Sequence, residues 1–128
     1  MIAGKYFSAT ELACRHCGAH GVTQGLVDRL DELREIYGSP LRLTSAYRCP
    51  LHPREVAKES TSGAHVIGLA ADIAIAGAAS ERFLGIVYGM KCWTGKGISQ
   101  RGDMASRFIH IDIAPPAISR PRPYLWSY

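Results

Sequence analysis

Two short stretches of alternating residues limit what this chain can fold into more than any other feature. In the segment 107–113, Arg-Phe-Ile-His-Ile-Asp-Ile, isoleucine occupies every second position. This period of two is typical of a β-strand with one face in the core, so His110 should point away from the isoleucines. Ile73 and Ile75 define the core side of a second strand in the same way, which places Asp72 on the opposite side. If the two strands share a sheet, Asp72 and His110 lie on one face.

A third polar residue, His65, can join this pair through a turn. His65 precedes Asp72 by seven residues, and Gly68 between them can adopt backbone angles that bring the loop back. Two imidazoles and one carboxylate hold Zn²⁺ in a tetrahedral site with one position left for water, as in hydrolytic zinc sites. The same spacing also fits a loop histidine, a strand aspartate and an exposed strand histidine without any metal. The shared orientation of Asp72 and His110 favours a zinc site formed by His65, Asp72 and His110.

At these positions the sequence resembles a known family. The pattern His-x-x-Gly-x-Ala-x-Asp at 65–72, followed by His-x-Asp at 110–112, is similar to that of the zinc D-Ala-D-Ala peptidases, which cut cell walls and share a fold with the hedgehog signalling domain. Residues 44–48, Thr-Ser-Ala-Tyr-Arg, resemble the Ser-x-Tyr-Arg segment of that family, and residues 6–14 resemble the start of its small murein peptidases. The resemblance covers roughly residues 6–113.

The resemblance implies roles for residues outside the metal site. It implies that Arg48 contacts the substrate peptide or the oxyanion, since a guanidinium is a fork of donors suited to either. A surface Arg48 paired with a carboxylate is the alternative. Tyr47 and Ser62 are expected to bind substrate, although the family usually has serine where this chain has Gly63.

The general base is where this sequence departs from the family pattern. Many members of the family carry an acid three residues before the last histidine, where this chain has Arg107. Arg107 is permanently protonated and has the wrong parity to share a face with His110. The nearest acid upstream is Asp103, which we predict to be the catalytic base unless it is only a solvated turn residue. Asp112 should not be a ligand but should accept the free ring N–H of a ligating histidine.

Four cysteines raise the question of a second metal. Cys14 and Cys17 form a Cys-x-x-Cys with His16 between them and His20 nearby. A structural zinc site normally takes two separated pairs of ligands, so the sequence favours a buried turn of small hydrophobic residues over a second site. No disulfide is predicted, because no secretory signal is recognised and reduced thiols are then the default.

Composition narrows the classes of partner. A chain of 128 residues with 47% hydrophobic residues predicts one folded domain, 1–128, with a proline-rich tail from 115 to 128. The net charge of +4 comes from scattered basic residues, which argues against nucleic-acid binding, and no apolar run is long enough to span a membrane. We expect a monomer that is made in the cytoplasm and needs separate delivery to act on a cell wall.

The remaining pattern predicts an α+β fold. Ser8 and Glu11 have the spacing of a capping box, the residues from 24 to 37 have a helical apolar stripe that ends at Gly38, and Ser80 should cap a helix that runs to about Met90. Two or three helices should pack on a small antiparallel sheet that carries zinc on its exposed face. The expected function is zinc-dependent hydrolysis of peptide bonds in peptidoglycan stem peptides or cross-links, of DD-carboxypeptidase or endopeptidase type. The alternative is a catalytically silent zinc-containing module of the same fold.

Overall fold

A five-stranded mixed sheet organises the protein in the computed structural model, which describes residues 1–57 and 63–128. The strands are β1 (Arg42–Ser45), β2 (Ala70–Ala74), β3 (Gly95–Ser99), β4 (Phe108–Asp112) and β5 (Tyr124–Ser127), in the order β1-β2-β4-β3-β5. The first four pair antiparallel, as predicted, and β5 adds to β3 in parallel. The sheet is mixed because the proline-rich tail contributes this last edge strand. The α+β class is confirmed.

β2 and β4 pair in one sheet, the condition under which the alternation predicts Asp72 and His110 on one face. Asp72 lies opposite His110, and Ile73 lies opposite Ile109. Since side chains alternate between the two faces of a sheet, the isoleucines share one face and the polar pair shares the other.

Helices α1 (Ala9–Leu12), α2 (Gln24–Tyr37), α3 (Pro53–Val56) and α4 (Ala78–Met90) accompany the sheet, with a 3₁₀ helix at Met104–Ser106. Ser8 and Glu11 form the predicted capping box of α1. Thr23 caps α2 by accepting the N–H of Leu26, and α2 ends at Gly38, whose φ of 83° is easily reached only by glycine.

The start of α4 differs from the prediction. Gly77, not Ser80, stands at its N-cap, and no side chain caps the helix. Ser80 lies inside the first turn, where it is buried and donates its hydroxyl to Gln100 Oε1 at 2.9 Å. The Ser80 hydroxyl therefore forms a tertiary hydrogen bond instead of the local helix cap that the sequence predicts.

The hydrophobic core lies between the isoleucine face of the sheet and helices α2 and α4. Leu26, Leu30 and Leu33 of α2 are fully buried, and so are Ile109 and Ile111 of β4. Burying a side chain of this size stabilises the fold by about 1.5–3 kcal/mol, so this side of the sheet holds the strands in register.

The opposite face of the sheet is covered, so the prediction of an exposed metal-bearing face is wrong. His65, Asp72, His110 and Asp112 are all at most 4% exposed. The tail provides part of the cover: the Trp126 ring of β5 packs 4.9 Å from the ring of His110, over Gly97 of β3, where a side chain would collide with it. Among the described residues, none of the helices has the length and apolar character needed to cross a membrane.

Candidate metal centre

Three separate elements bring His65, Asp72 and His110 together. Asp72 and His110 are cross-strand neighbours on β2 and β4, and His65 stands in the turn that leads into β2. The turn depends on Gly68, whose φ is 77° and whose missing side chain leaves space for the backbone carbonyl of Gly21. Any L-amino acid at this position would be strained and would push the turn away.

The three potential ligand atoms form a triangle of the size that zinc requires. His65 Nε2 lies 3.3 Å from Asp72 Oδ1, His110 Nδ1 lies 3.1 Å from the same oxygen, and the two ring nitrogens are 3.2 Å apart. Zn–N and Zn–O bonds of about 2.0–2.1 Å place tetrahedral ligands about 3.3–3.4 Å from one another. The described donors therefore fit Zn²⁺ without a large movement.

Hydrogen bonds on the far side of each ring set the protonation of the two histidines. His65 Nδ1 lies 2.6 Å from the Ala46 carbonyl and His110 Nε2 lies 2.6 Å from Asp112 Oδ2, and both of these partners only accept. Each ring therefore carries its proton on that outer nitrogen and turns a bare nitrogen toward Asp72. Different ring nitrogens face the centre in the two residues, which sequence alone does not indicate.

The electrostatics of the site favour the metal-binding form of two of the three ligands, His65 and Asp72. Burial lowers the pKa of His65, which favours the neutral imidazole. Burial raises the pKa of Asp72, but the neighbouring His65 and His110 outweigh this and hold it well below its usual range. Burial lowers the pKa of His110, but the carboxylates of Asp112 and Asp72 on its two sides favour the protonated ring, and together they raise the pKa. Protons and a metal ion therefore compete for His110.

Asp112 stands where a carboxylate that orients a ligand is expected. It is fully buried and accepts from His110 on one side and from the guanidinium of Arg122 on the other, at 2.9 Å from Nε and 2.7 Å from Nη2. The N–H of Ala114 also donates to it at 3.1 Å. Arg122 was not predicted as a site residue, because nothing in a proline-rich tail indicates which arginine will return to the sheet.

Arg48 reaches the centre from the residues after β1 but is occupied by the protein itself. It is buried, and it donates from Nε to Ser45 Oγ at 3.0 Å, from Nη1 to Glu55 Oε2 at 3.1 Å and from Nη2 to Asp72 Oδ2 at 2.9 Å. Because Arg48 binds Oδ2 of Asp72, the other carboxylate oxygen, Oδ1, faces the two histidines. The sequence missed Glu55, a buried acid whose position in a short helix gave no signal.

A cavity of about 650 Å³ opens beside the histidines. His65 and His110 form part of its wall, and its other described lining residues include four arginines and three aromatic residues from the tail: Arg48, Arg54, Arg120, Arg122, Tyr124, Trp126 and Tyr128. A second cavity of about 280 Å³ reaches Asp72 from the side of the 3₁₀ helix. The proline-rich tail thus lines the larger cavity.

The other predicted site residues are not brought to this cavity. Tyr47 packs over Gly21 and lines neither cavity. Asp103 is exposed at the start of the 3₁₀ helix and also lines neither of them, although Ala105 and Ser106 beside it line the smaller one. Ser62 lies outside the described residues.

The comparison with protein families agrees with this geometry. The sequence pattern of the family described as Peptidase M15 matches residues 5–112, which include all three potential ligands. M15 peptidases are zinc-dependent, and the described residues include a group able to hold zinc. No curated protein and no solved structure is significantly similar to the chain. Because the match spans most of the sequence, the chain belongs to the peptidase M15 family of metallopeptidases.

Proposed function

We propose that this protein hydrolyses peptide bonds in peptidoglycan stem peptides or cross-links, with zinc held by His65, Asp72 and His110. The observation that carries the proposal is the convergence of two bare imidazole nitrogens and one carboxylate oxygen within 3.3 Å of one another, with both histidines in a cavity wall. Bound there, zinc would supply a Lewis acid for the scissile carbonyl and would lower the pKa of a water molecule toward about 7.

The character of the larger cavity supports an anionic peptide as substrate. Its described lining contains four arginines and no aspartate or glutamate. Two of the four, Arg48 and Arg122, already pair with buried carboxylates of the protein, so a substrate carboxylate would bind beside them rather than replace those pairs. Arginine pairs with carboxylates through two parallel hydrogen bonds, and stem peptides carry free carboxylates. Aromatic residues from the tail supply apolar surface on which a peptide backbone can lie. Volume and charge are thus suited to a short acidic peptide.

Arg48 is proposed to act mainly through Asp72. Since Nε, Nη1 and Nη2 of Arg48 all donate to protein groups, the substrate contact implied by the resemblance would require one of these bonds to be exchanged. Its position in the wall of both cavities permits that exchange. Tyr47 and Ser62 remain candidates for substrate binding that only variants can test.

Asp103 remains the proposed general base, with a condition attached. A base must come within hydrogen-bond reach of the attacking water, and Asp103 is exposed and outside both cavities. The loop before the 3₁₀ helix must therefore move when substrate binds.

A catalytically silent zinc-containing module is the second candidate. The observation in its favour is that no acid stands among the described residues that line the larger cavity. A module of this kind would bind the same peptides through the arginines and would not cut them.

Digestion of purified peptidoglycan separates the two candidates. Zinc-loaded protein is incubated with the polymer, with and without chelator, and the soluble products are identified by mass spectrometry. Free D-alanine identifies a carboxypeptidase, and conversion of cross-linked dimers to monomers identifies an endopeptidase. The His110→Ala variant controls for contaminating hydrolases. If zinc-loaded protein binds the polymer but releases nothing, the enzyme proposal is excluded and the module stands.

A further inference from the structure

Three of the four cysteines meet at a second place in the fold. Cys14 and Cys17 follow α1, and Cys49 follows β1 some 35 residues later, yet their sulfur atoms all lie within 4.8 Å of one another. The sequence favoured a buried turn of small hydrophobic residues for the first pair. The fold instead adds a third thiol from a distant segment, which the spacing of Cys14 and Cys17 could not show.

The backbone around this cluster is arranged to stabilise a thiolate. The N–H of Cys49 donates to Cys14 Sγ at 3.3 Å. The turn from Cys14 to Gly18 is closed by a hydrogen bond of 2.8 Å from the N–H of Gly18 to the Cys14 carbonyl. Burial raises the pKa of Cys14, but hydrogen bonds from the backbone N–H groups of Cys49, Cys17 and His16 outweigh it and lower the pKa to about 7. Only the thiolate form binds a metal, so the lowered pKa favours the ligand form of Cys14, whereas burial raises the pKa of Cys49.

We propose that Cys14, Cys17 and Cys49 bind a second Zn²⁺, separate from the histidine centre and independent of the proposed function. Soft thiolates select zinc over hard cations, and Cys-x₂-Cys is one of the ligand pairs found in structural zinc sites. Here Cys49 supplies a third thiolate from a distant segment. Cys17 is exposed, so the ion can enter from solvent.

His52 is the neighbour that could complete the ligand set. It follows Cys49 in a Cys-x₂-His spacing, and its ring lies 6.0 Å from that of His16. His52 Nδ1 accepts the N–H of Arg54 at 3.1 Å as the cap of α3, which places the ring proton on Nε2. His52 could therefore join only by giving up this cap, and three thiolates are the ligands that the fold already presents.

The expected role of the ion is to fix the position of Arg48. Cys49 follows Arg48 directly, and the N–H of Tyr47 donates to the Leu12 carbonyl at 3.3 Å. A metal between the two segments would fasten the end of β1 to the N-terminal loop. Arg48 would then be held in its contacts with Asp72 from outside the catalytic centre.

Zinc stoichiometry tests the proposal. Protein prepared with zinc and a reductant, then desalted, should carry about two Zn²⁺ per chain by elemental analysis, one for each tetrahedral site. Cys17→Ser should lower this to about one, because an exposed position tolerates serine while a thiolate is lost. Cys92→Ser is the matched control, since Cys92 is outside the cluster, and it should keep both ions. Equal zinc in the Cys17→Ser and Cys92→Ser variants would overturn the proposal.

A second measurement needs no cysteine variant. Cobalt-substituted protein should show near-ultraviolet sulfur-to-metal charge-transfer absorption, and it should persist in His110→Ala, where the other centre is damaged. Absence of that band in the parent protein, or a disulfide among the three cysteines found by alkylation and mass spectrometry of the zinc-loaded protein, would exclude the site. A parent protein that keeps the band but does not cut peptidoglycan would support this site while rejecting the proposed function.

Discussion

At the scale of single residues, His110 is fixed by carboxylates on both sides. Its Nε2 is 2.6 Å from Asp112 and its Nδ1 is 3.1 Å from Asp72. We expect His110→Ala to lose the zinc of this centre, because two remaining ligands cannot hold the ion in a closed geometry. Elemental analysis measures the loss, with Asp103→Asn as a control that should retain the metal. Undiminished zinc in His110→Ala would show that the ion binds elsewhere.

Asp112→Asn should weaken zinc binding without abolishing it. The amide oxygen can still accept from His110, but the amide has no charge to balance the guanidinium of Arg122 or to raise the basicity of the imidazole. Changes to such supporting groups lower metal affinity by about 10–100-fold. Competition with a chelator of known affinity measures the change. An affinity equal to that of the parent protein would remove Asp112 from the metal site.

Asp103→Asn tests the general base. If Asp103 accepts the proton of the attacking water, the variant should keep its zinc while hydrolysis falls by about 10²–10⁴-fold, the usual share of general acid–base catalysis. The measurement is the rate of release of peptidoglycan fragments at saturating zinc. Hydrolysis at the parental rate would exclude Asp103 and show that its exposed position also holds during catalysis.

At the scale of elements, the residues after β1 are tied to β2 and α3 by one side chain. Arg48 pairs with Asp72 of β2 and with Glu55 of α3, and all three are almost fully buried. Arg48→Ala should lower the free energy of unfolding of the metal-free protein by about 3–5 kcal/mol, because two buried carboxylates each lose an ion pair with the guanidinium. Urea denaturation measures this.

Arg29→Ala provides the comparison for Arg48→Ala. Arg29 forms an exposed pair with Glu32 on α2 at 2.9 Å, and exposed pairs contribute about 0–1 kcal/mol. Similar losses in the two variants would mean that the buried pairs around Arg48 do not stabilise the fold as the geometry suggests.

At the scale of the whole molecule, buried carboxylates link folding to pH. Burial raises the pKa of Asp112, but hydrogen bonds from His110 and Arg122 outweigh this effect and hold the pKa well below its usual range. The pKa of Asp72 is lowered in the same way by the neighbouring His65 and His110. A lowered pKa adds stability that is complete above the unfolded value of about 3.9 and is lost as pH falls toward the folded value.

The metal-free protein should therefore lose stability as pH falls below about 4–5, because the unfolded chain takes up protons that the folded carboxylates resist. Arg122→Gln should flatten this dependence, since it removes one partner that lowers the pKa of Asp112. Urea denaturation across a pH series measures both slopes. Parallel curves for the two proteins would mean that Arg122 does not stabilise the Asp112 carboxylate.

Features that depend on local geometry could be predicted from the amino-acid sequence alone. The alternation around Ile109 and Ile73 placed His110 and Asp72 on one face, because side chains of a strand alternate whatever the rest of the fold does. The helix caps at Ser8 and Gly38 could also be predicted, since each cap forms hydrogen bonds with backbone groups only a few residues away.

Contacts between groups that are distant in the chain could not be predicted before the fold was known. Three such contacts join residues far apart in the chain. Arg122 of the tail binds Asp112, Trp126 of the tail covers His110, and Cys49 approaches Cys14. Chain spacing carries no information about such contacts, because they form when the core packs and the remaining segments close over it. Ser80 was mispredicted for the same reason, since its hydroxyl binds Gln100, a residue distant in the chain, and does not cap the helix.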